Sequence, residues 1–118
     1  MSSDRPTAPE LIEAIREWLE RDVMAATDGR VQFHARVAIN ALGMLERELT
    51  LGPAFASAER ARAEAILGHG GDPMTLEREV AARIRDGSLD DRAGEVRDHV
   101  RATVREKLLV ANPRYLGQ

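Results

Sequence analysis

The sequence predicts an all-α fold, a single-domain bundle of about five helices. Apolar residues recur at spacings of three and four along the chain, which is the period of amphipathic helices. No window alternates strictly between apolar and polar residues, as a half-buried strand does. Hydrophobic residues make up 43% of the chain but aromatic residues only 3%, so the apolar content rests on aliphatic residues and on Ala. Ala has the lowest intrinsic cost in a helix.

The chain of 118 residues fits one domain. Residues 1–6 are short and polar and are predicted to be a frayed N-terminus, and residues 7–118 are predicted to form one helical domain. In the first helix, Thr7 and Glu10 have the spacing of a capping box. The apolar stripe comprises Leu11, Ile12, Ile15, Trp18, Leu19 and Val23, and Asp28-Gly29 ends the segment.

A second helix is predicted from about Val31 to Leu51, ending at Gly52-Pro53, and a third from about Pro53 to Leu67. Apolar side chains fill about half the circumference of the second helix, which predicts that it is central and contacts several neighbours. They are Phe33, Val37, Ala38, Ala41, Leu42, Met44, Leu45 and Leu49. The third helix carries a stripe of small residues, Ala54, Ala58, Ala61 and Ala65, that allows close helix packing.

The last two helices follow a flexible Gly-rich loop, residues 68–71. Asp72 is the predicted N-cap of the fourth helix, and Gly87 closes it. Asp90 or Asp91 is the predicted cap of the fifth. Asn112-Pro113 ends that helix and leaves residues 114–116 as a short tail.

Composition excludes several classes of function. The chain has 17 Lys and Arg against 20 Asp and Glu, a net charge of −3, which argues against duplex nucleic acid as a partner. With no Cys, disulfides, thiolate catalysis and Cys-ligated metals are excluded. No apolar run reaches the roughly 20 residues that span a bilayer. We therefore expect a cytoplasmic protein that does not bind membranes and has no cofactor.

The three histidines, His34, His69 and His99, lack the spacing of a metal site. His34 lies within the apolar arc of the second helix, which favours a buried neutral imidazole over a general base. The Gly-rich loop around His69 lacks the context of an anion-binding or oxyanion loop. The sequence therefore predicts no catalytic residue and no metal ligand.

One helix face carries a candidate ligand site. Arg36, Asn40, Gly43 and Arg47 occupy positions i, i+4, i+7 and i+11 of the second helix and share a face near His34. Two guanidiniums around an amide, with a glycine gap, suit a carboxylate or a phosphate. The alternative interpretation is structural, with both arginines paired to helix carboxylates such as Glu13 or Glu17 and Asn40 bonded to a loop backbone.

A basic ridge on the fifth helix, Arg97, Arg101 and Arg105, is the second candidate surface. A solvated face with salt bridges is the first interpretation, because like charges four residues apart disfavour a helix unless acidic neighbours offset them. The second is a docking surface for an acidic partner. RNA comes third because aromatic residues for stacking are lacking.

Three segments carry a resemblance to a known family: FHARVAINAL at residues 33–42, REL at 47–49 and NPRY at 112–115, with Arg5-Pro6-Thr7-Ala8 at the opening. The chain resembles a family of small bacterial helical domains of unknown function. Members are commonly encoded beside, or fused behind, kinases of the aminoglycoside phosphotransferase type, often near acyl-CoA dehydrogenase genes. The resemblance implies a bacterial cytoplasmic protein with a phosphotransferase-like partner and brings no catalytic residues.

Three hypotheses follow. The first is a non-catalytic accessory module that binds a phosphotransferase-like kinase, since the chain itself lacks every kinase motif. The second is a small-molecule or acyl-group binding protein that uses His34, Arg36, Asn40 and Arg47. The third is a homo-oligomeric scaffold in which the Ala stripe of the third helix packs against its copy.

Overall fold

The computed structural model describes residues 4–117, and this part of the chain contains helices and turns but no strand. The predicted all-α fold is confirmed. The helices are α1 (Ala8–Trp18), α2 (Met24–Ala26), α3 (Gly29–Leu67), α4 (Pro73–Arg85), α5 (Ala93–Ala111) and α6 (Arg114–Gly117). A π-helical segment, Leu19–Val23, joins α1 to α2 in one helical stretch. Of the predicted frayed terminus, residues 1–3 lie outside the described range, and Arg5 pairs with Glu10.

Local capping signals in the sequence are confirmed. The Thr7 hydroxyl accepts from the Glu10 N–H at 3.3 Å, and the Glu10 carboxylate accepts from the Thr7 N–H at 2.8 Å. The Asp72 carboxylate accepts from the Thr75 N–H at 3.3 Å and caps α4. Gly87 follows α4 with a φ of +83°, a conformation that a Cβ disfavours. These helix starts and stops are short-range effects, which is why the sequence predicts them.

The predicted break at Gly52-Pro53 is wrong, because α3 runs without interruption for 39 residues. Proline removes one backbone hydrogen bond and crowds the preceding turn, at a cost of about 3 kcal/mol. Two features offset this cost. Gly52 has no Cβ to clash with the Pro53 ring, and the helix on each side of Pro53 packs within its own compact unit.

The chain forms two compact units, described separately here. Unit 1 runs to Gly52 and includes Val110–Asn112, and unit 2 contains Pro53–Leu109 and the segment from Pro113.

In unit 1, α3 buries a narrow face formed by Ala35, Ile39 and Gly43. The wide apolar arc predicted from the sequence is not the buried face. The prediction that this arc makes α3 a central helix is wrong for its largest members. Among the exposed apolar side chains are Phe33, Val37, Met44, Leu45 and Leu49. Unit 1 contains too few other helices to cover half the circumference of α3, and small residues allow the closest approach.

Unit 2 has a core of small and aliphatic residues. Ala63 and Leu67 of α3 pack with Leu76 and Val80 of α4, and Leu76 is 1% exposed. The predicted cap at Asp90 or Asp91 is wrong, because both residues lie in a 3-10 turn before α5. In this turn the Asp90 N–H donates to the Gly87 carbonyl, and the Arg92 N–H donates to the Leu89 carbonyl.

Further connections complete unit 2. Arg92 in the 3-10 turn donates to the carbonyls of Ala65 and Ile66 near the end of α3. These carbonyls lack partners within the helix, and a cationic donor there also complements the helix dipole. Residues 114–116, predicted as a tail, lie in the short helix α6, Arg114–Gly117.

We expect Pro53→Ala to raise the free energy of unfolding by about 2 kcal/mol. The substitution restores the hydrogen bond to the Leu49 carbonyl, and the greater freedom of the unfolded chain offsets only part of the gain. Urea denaturation measures the change. Pro9→Ala, in the first turn of α1, is the matched control and should change stability little, because a first-turn N–H has no helical partner. Destabilisation by Pro53→Ala would show that packing in the two units depends on proline at this position.

Candidate functional site

On the predicted ligand face of α3, some residues are exposed to solvent and one arginine is hydrogen-bonded to the backbone. Arg36 and Asn40 are exposed. The Arg47 Nε donates to the Val110 carbonyl at 2.7 Å, which satisfies an acceptor near the C-terminal end of α5. The prediction that His34 is buried is wrong, because the ring is exposed and stands edge-on to Phe33, with centroids 5.5 Å apart. A ligand site on this face stays a prediction.

The glycine gap on this face is filled by arginines of the chain itself. A Cβ on Gly43 would lie 3.4 Å from an Arg47 Nη1 and 3.7 Å from the Arg16 Cζ. The Arg16 Nη1 in turn donates to the Glu46 carboxylate at 2.9 Å. Among residues 4–117, the expected ion pairs of Arg36 and Arg47 with Glu13 or Glu17 are not observed. Glu17 pairs with Arg21, and Glu46 pairs with Arg16. Gly43 serves packing within unit 1.

An apolar stripe remains exposed beside these residues. We define the α3 stripe as Phe33, Val37, Asn40 and Met44, which occupy positions i, i+4, i+7 and i+11 of the helix. Phe33 is 62% exposed, Val37 49% and Met44 42%. On α1, Leu11, Ile15 and Trp18 form another exposed line at i, i+4 and i+7. Contiguous apolar surface of this kind is typical of protein interfaces.

The basic ridge of α5 is exposed as predicted. Arg97, Arg101 and Arg105 all lie on the surface, and within residues 4–117 they form no salt bridge. Their role as a partner surface stays a prediction. The ridge is solvated, as the first interpretation requires, but it lacks the salt bridges expected to accompany it.

The best-formed polar cluster lies in unit 2 around Arg62. Its Nε donates to His99 Nδ1 at 3.1 Å, one Nη donates to Thr103 Oγ1 at 3.1 Å, and both Nη atoms donate to the Glu106 carboxylate at 3.0 and 3.2 Å. The Arg62 side chain is 26% exposed and that of Glu106 is 17% exposed. A guanidinium that uses all its edges in this way fixes the spacing of α3 and α5 within unit 2.

Arg62 is not among the residues that the sequence predicts for a site. The sequence predictions treated this part of α3 as an Ala stripe and considered His99 only as a metal ligand. The available signal was the polar line His99, Thr103 and Glu106 at i, i+4 and i+7 on α5, which is a set of acceptors for one guanidinium.

A cavity of about 210 Å³ lies next to this cluster, between α3, α4 and α5 of unit 2. Its polar lining comes from Glu59, Glu77, His99, Thr103 and Lys107. Its apolar lining comes from Val80, Ala81, Ile84, Val100 and Val104. The cavity is thus amphipathic, with charged groups on one part of its wall and aliphatic side chains on the rest.

The cavity changes the ionisation of two groups. Burial raises the pKa of the Glu59 carboxyl, and the neighbouring Glu77 raises it further, while Lys107 and Arg62 act in the opposite direction. Burial lowers the pKa of the His99 imidazole, and the Arg62 charge lowers it again. His99 is therefore neutral at neutral pH, and because Nδ1 accepts from Arg62, its proton is on Nε2.

The predicted loop at His69 is confirmed, and it is closed by an ion pair. The His69 ring contacts the Gly70 carbonyl at 3.0 Å and the Glu79 carboxylate at 3.0 Å. The Gly70 carbonyl raises the pKa of His69, and Glu79 raises it further. These contacts hold the loop to α4.

The chain matches a known family over most of its length. The family model described as a domain of unknown function (DUF6285) matches residues 25–115. The chain belongs to this family. No curated protein and no solved structure matches it.

The DUF6285 match begins near the end of the first helical stretch and ends in α6. It includes the α3 stripe, the Arg62 cluster and the whole lining of the cavity, whereas α1 precedes it. In the described part of this DUF6285 chain, no helix combines the length and apolar character needed to cross a bilayer. Residues 4–117 also contain no group of three or more His, Asp or Glu side chains arranged to hold a metal ion.

We expect a double-mutant cycle to show strong coupling between Arg62 and Glu106. Arg62→Met should lower the free energy of unfolding by about 2 kcal/mol, because it leaves a mostly buried carboxylate without its charged donor. Adding Glu106→Gln to Arg62→Met should recover part of this loss, with a coupling energy of about 1–2 kcal/mol. Thermal or urea unfolding measures all four proteins.

The matched control for this cycle is Arg60→Met. Arg60 pairs with Glu64 at 3.3 Å on the exposed side of the same helix, with side chains 48% and 37% exposed. Exposed pairs four residues apart contribute about 0.3–0.5 kcal/mol. Equal losses from Arg62→Met and Arg60→Met would contradict a structural role for the Arg62 cluster.

Proposed function

We propose that the protein is a non-catalytic helical interaction module whose α3 stripe binds a partner protein, and that this partner is a phosphotransferase-like kinase. The observation that carries the proposal is the exposed stripe itself. Phe33, Val37 and Met44 expose 42–62% of their surface on one side of the helix, over about three turns. Burial of this apolar surface by a partner would contribute roughly 25 cal/mol of favourable free energy for each Å² buried.

The surroundings of the stripe suit a protein partner. Arg36 lies at its edge and Asn40 lies within it. Both residues are exposed, and neither forms a hydrogen bond through its side chain within residues 4–117. A typical interface has an apolar centre and a polar rim with hydrogen-bonding groups at its edge. An apolar kinase surface with a carboxylate opposite Arg36 would complement both. The choice of a kinase rests on the resemblance of residues 33–42 and 112–115 to domains encoded beside such enzymes.

The first test measures binding to the phosphotransferase-like kinase of the same genome, by sedimentation velocity and calorimetry of the two purified proteins. We expect a complex at micromolar concentrations and a weakening of at least about tenfold for Phe33→Glu, because the substitution places a charge in the apolar centre. Val31→Glu is the matched control. Val31 is 59% exposed on the same helix, on the opposite side from Phe33, and should leave binding unchanged.

Absence of a complex at micromolar concentrations would contradict the proposed partner. Equal weakening by Phe33→Glu and Val31→Glu would contradict the proposed surface. Circular dichroism of both variants establishes that each remains helical, so loss of binding can be assigned to the interface.

A second copy of the chain is the alternative partner, favoured by the symmetry of the α3 stripe. Phe33 and Met44 lie at equal distances on either side of the middle of the stripe. The exposed residues Arg30 and Glu48 form a second pair, farther out, at nearly equal distances from the same point. Arg30 and Glu48 are 18 residues apart, which is five helical turns, so they lie on one side of the helix beside the stripe. A two-fold axis near residue 39 would therefore pair Phe33 with Met44 and Arg30 with Glu48 of the antiparallel second copy.

This alternative is tested with charge reversals. If the copies pair in this way, sedimentation equilibrium should show a dimer that Arg30→Glu or Glu48→Arg alone weakens and that the double variant restores, because each reversal creates like-charge contacts. A monomer at all concentrations would contradict self-association. A dimer that is unaffected by either reversal would place its interface elsewhere, as in the predicted packing of the Ala stripe at residues 54, 58, 61 and 65.

A further inference from the structure

We propose that the cavity of unit 2 binds a small aliphatic amine, with the ammonium group between Glu59 and Glu77 and the alkyl chain along Val100 and Val104. This site lies outside the α3 stripe and is independent of the proposed interaction function. Its volume of about 210 Å³ is below the roughly 300–1,000 Å³ of drug-sized pockets, which restricts the ligand to a small molecule.

The charges on the wall favour a cation. Two carboxyl groups, Glu59 and Glu77, line the cavity together with a single ammonium group, Lys107. Arg62 is already neutralised by its bidentate contact with Glu106. When Glu59 is ionised, the wall therefore has one negative charge in excess, and a monovalent cation neutralises it. An anionic ligand would instead meet the Glu77 carboxylate and leave the site with uncompensated charge.

A hydrogen-bond donor in the wall favours a second group on the ligand. His99 is 7% exposed, and its Nδ1 is occupied by Arg62, so the Nε2–H is the remaining hydrogen-bonding group of the ring. Within residues 4–117, Nε2 has no acceptor at hydrogen-bond distance. His99 lines the cavity, and a ligand oxygen next to the amino group would accept a hydrogen bond from this N–H. An amino alcohol has both groups.

The apolar side of the cavity suits a short alkyl chain. Ile84 is 44% exposed, Val100 47% and Val104 50%. These three side chains and Val80 come from α4 and α5, so an alkyl chain lying between the two helices would cover aliphatic surface from both. Covering this surface supplies the hydrophobic part of the affinity.

Binding of a cation should release a proton. The groups that face Glu59 are Glu77 from α4, Lys107 and His99 from α5, and Arg62 from α3 itself. Because the pKa of Glu59 is raised, its carboxyl stays protonated to a higher pH than an ordinary glutamate, and a bound ammonium group favours the ionised form. Affinity for an amine should therefore rise as pH increases through this raised pKa. Affinity for a carboxylate should fall over the same interval.

The experiment follows amide shifts of the labelled full chain by NMR during titration with hexylamine, 2-amino-1-hexanol and hexanoate. We expect both amines to shift residues that line the cavity and hexanoate to bind at least about tenfold more weakly. The amino alcohol should bind more tightly than hexylamine. Calorimetry in two buffers with different ionisation enthalpies should detect proton release with the amines.

Two isosteric variants and a control locate the site. Glu59→Gln should weaken hexylamine at least about tenfold and abolish proton release, since it removes an ion pair at the ammonium group. Glu77→Gln, at an exposed position where the fold is not at risk, should also weaken it. Glu13→Gln, on the exposed surface of α1, should leave binding unchanged. Equal affinity for hexylamine and hexanoate, unchanged binding to Glu59→Gln and Glu77→Gln, or absence of shifts at the cavity would each overturn the proposal.

Discussion

Unit 2 depends on one side chain more than on any other, the guanidinium of Arg62. It is permanently charged, and it lies mostly away from water, so it must find an acceptor for each edge. The acceptors are all on α5, at His99, Thr103 and Glu106. Because these contacts have fixed directions, they determine the rotation of α5 about its own axis. The hydrophobic packing of Ala63 and Leu67 against α4 is tolerant of small rotations by comparison.

The cavity is a consequence of that constraint. With His99 held by Arg62, the neighbouring turns of α5 place Val100 and Lys107 on the wall opposite Glu59 and Glu77. The same contact fixes the tautomer of the imidazole, and burial together with the Arg62 charge lowers its pKa. A structural cluster and a candidate binding site thus share His99 and Thr103. Separating the two roles requires substitutions on the α3 and α4 side, at Glu59 and Glu77.

The sequence predicts the helices much better than it predicts the site. Helix starts such as Thr7 and Asp72 are decided by residues three positions away, so they can be found by inspection. The continuity of α3 through Pro53 could not be found in this way, because packing on both sides outweighs a local penalty. The Arg62 cluster joins residues 37–44 positions apart. Such a pairing depends on how helices are oriented, which periodicity alone does not reveal.

The apolar face of α3 shows a related limit. Hydrophobicity predicts that Phe33 and Met44 are inside, yet Ala35 and Gly43 are buried instead. Side-chain size decides this outcome, because a helix packed through small residues gains close contact along its whole length. The large side chains then remain available to another molecule. The apolar periodicity of a helix therefore does not show whether its apolar face packs inside the protein or binds another molecule.

One connection in unit 1 has a consequence for the order of folding. Arg47 holds the carbonyl of Val110, a residue 63 positions further along, and unit 1 includes the short segment Val110–Asn112. During synthesis, the early helices emerge from the ribosome long before this segment does, and the Arg47 guanidinium stays hydrated until it arrives. Completion of the first unit therefore waits for translation of nearly the whole of the second, a non-local closure that slows the last step of folding.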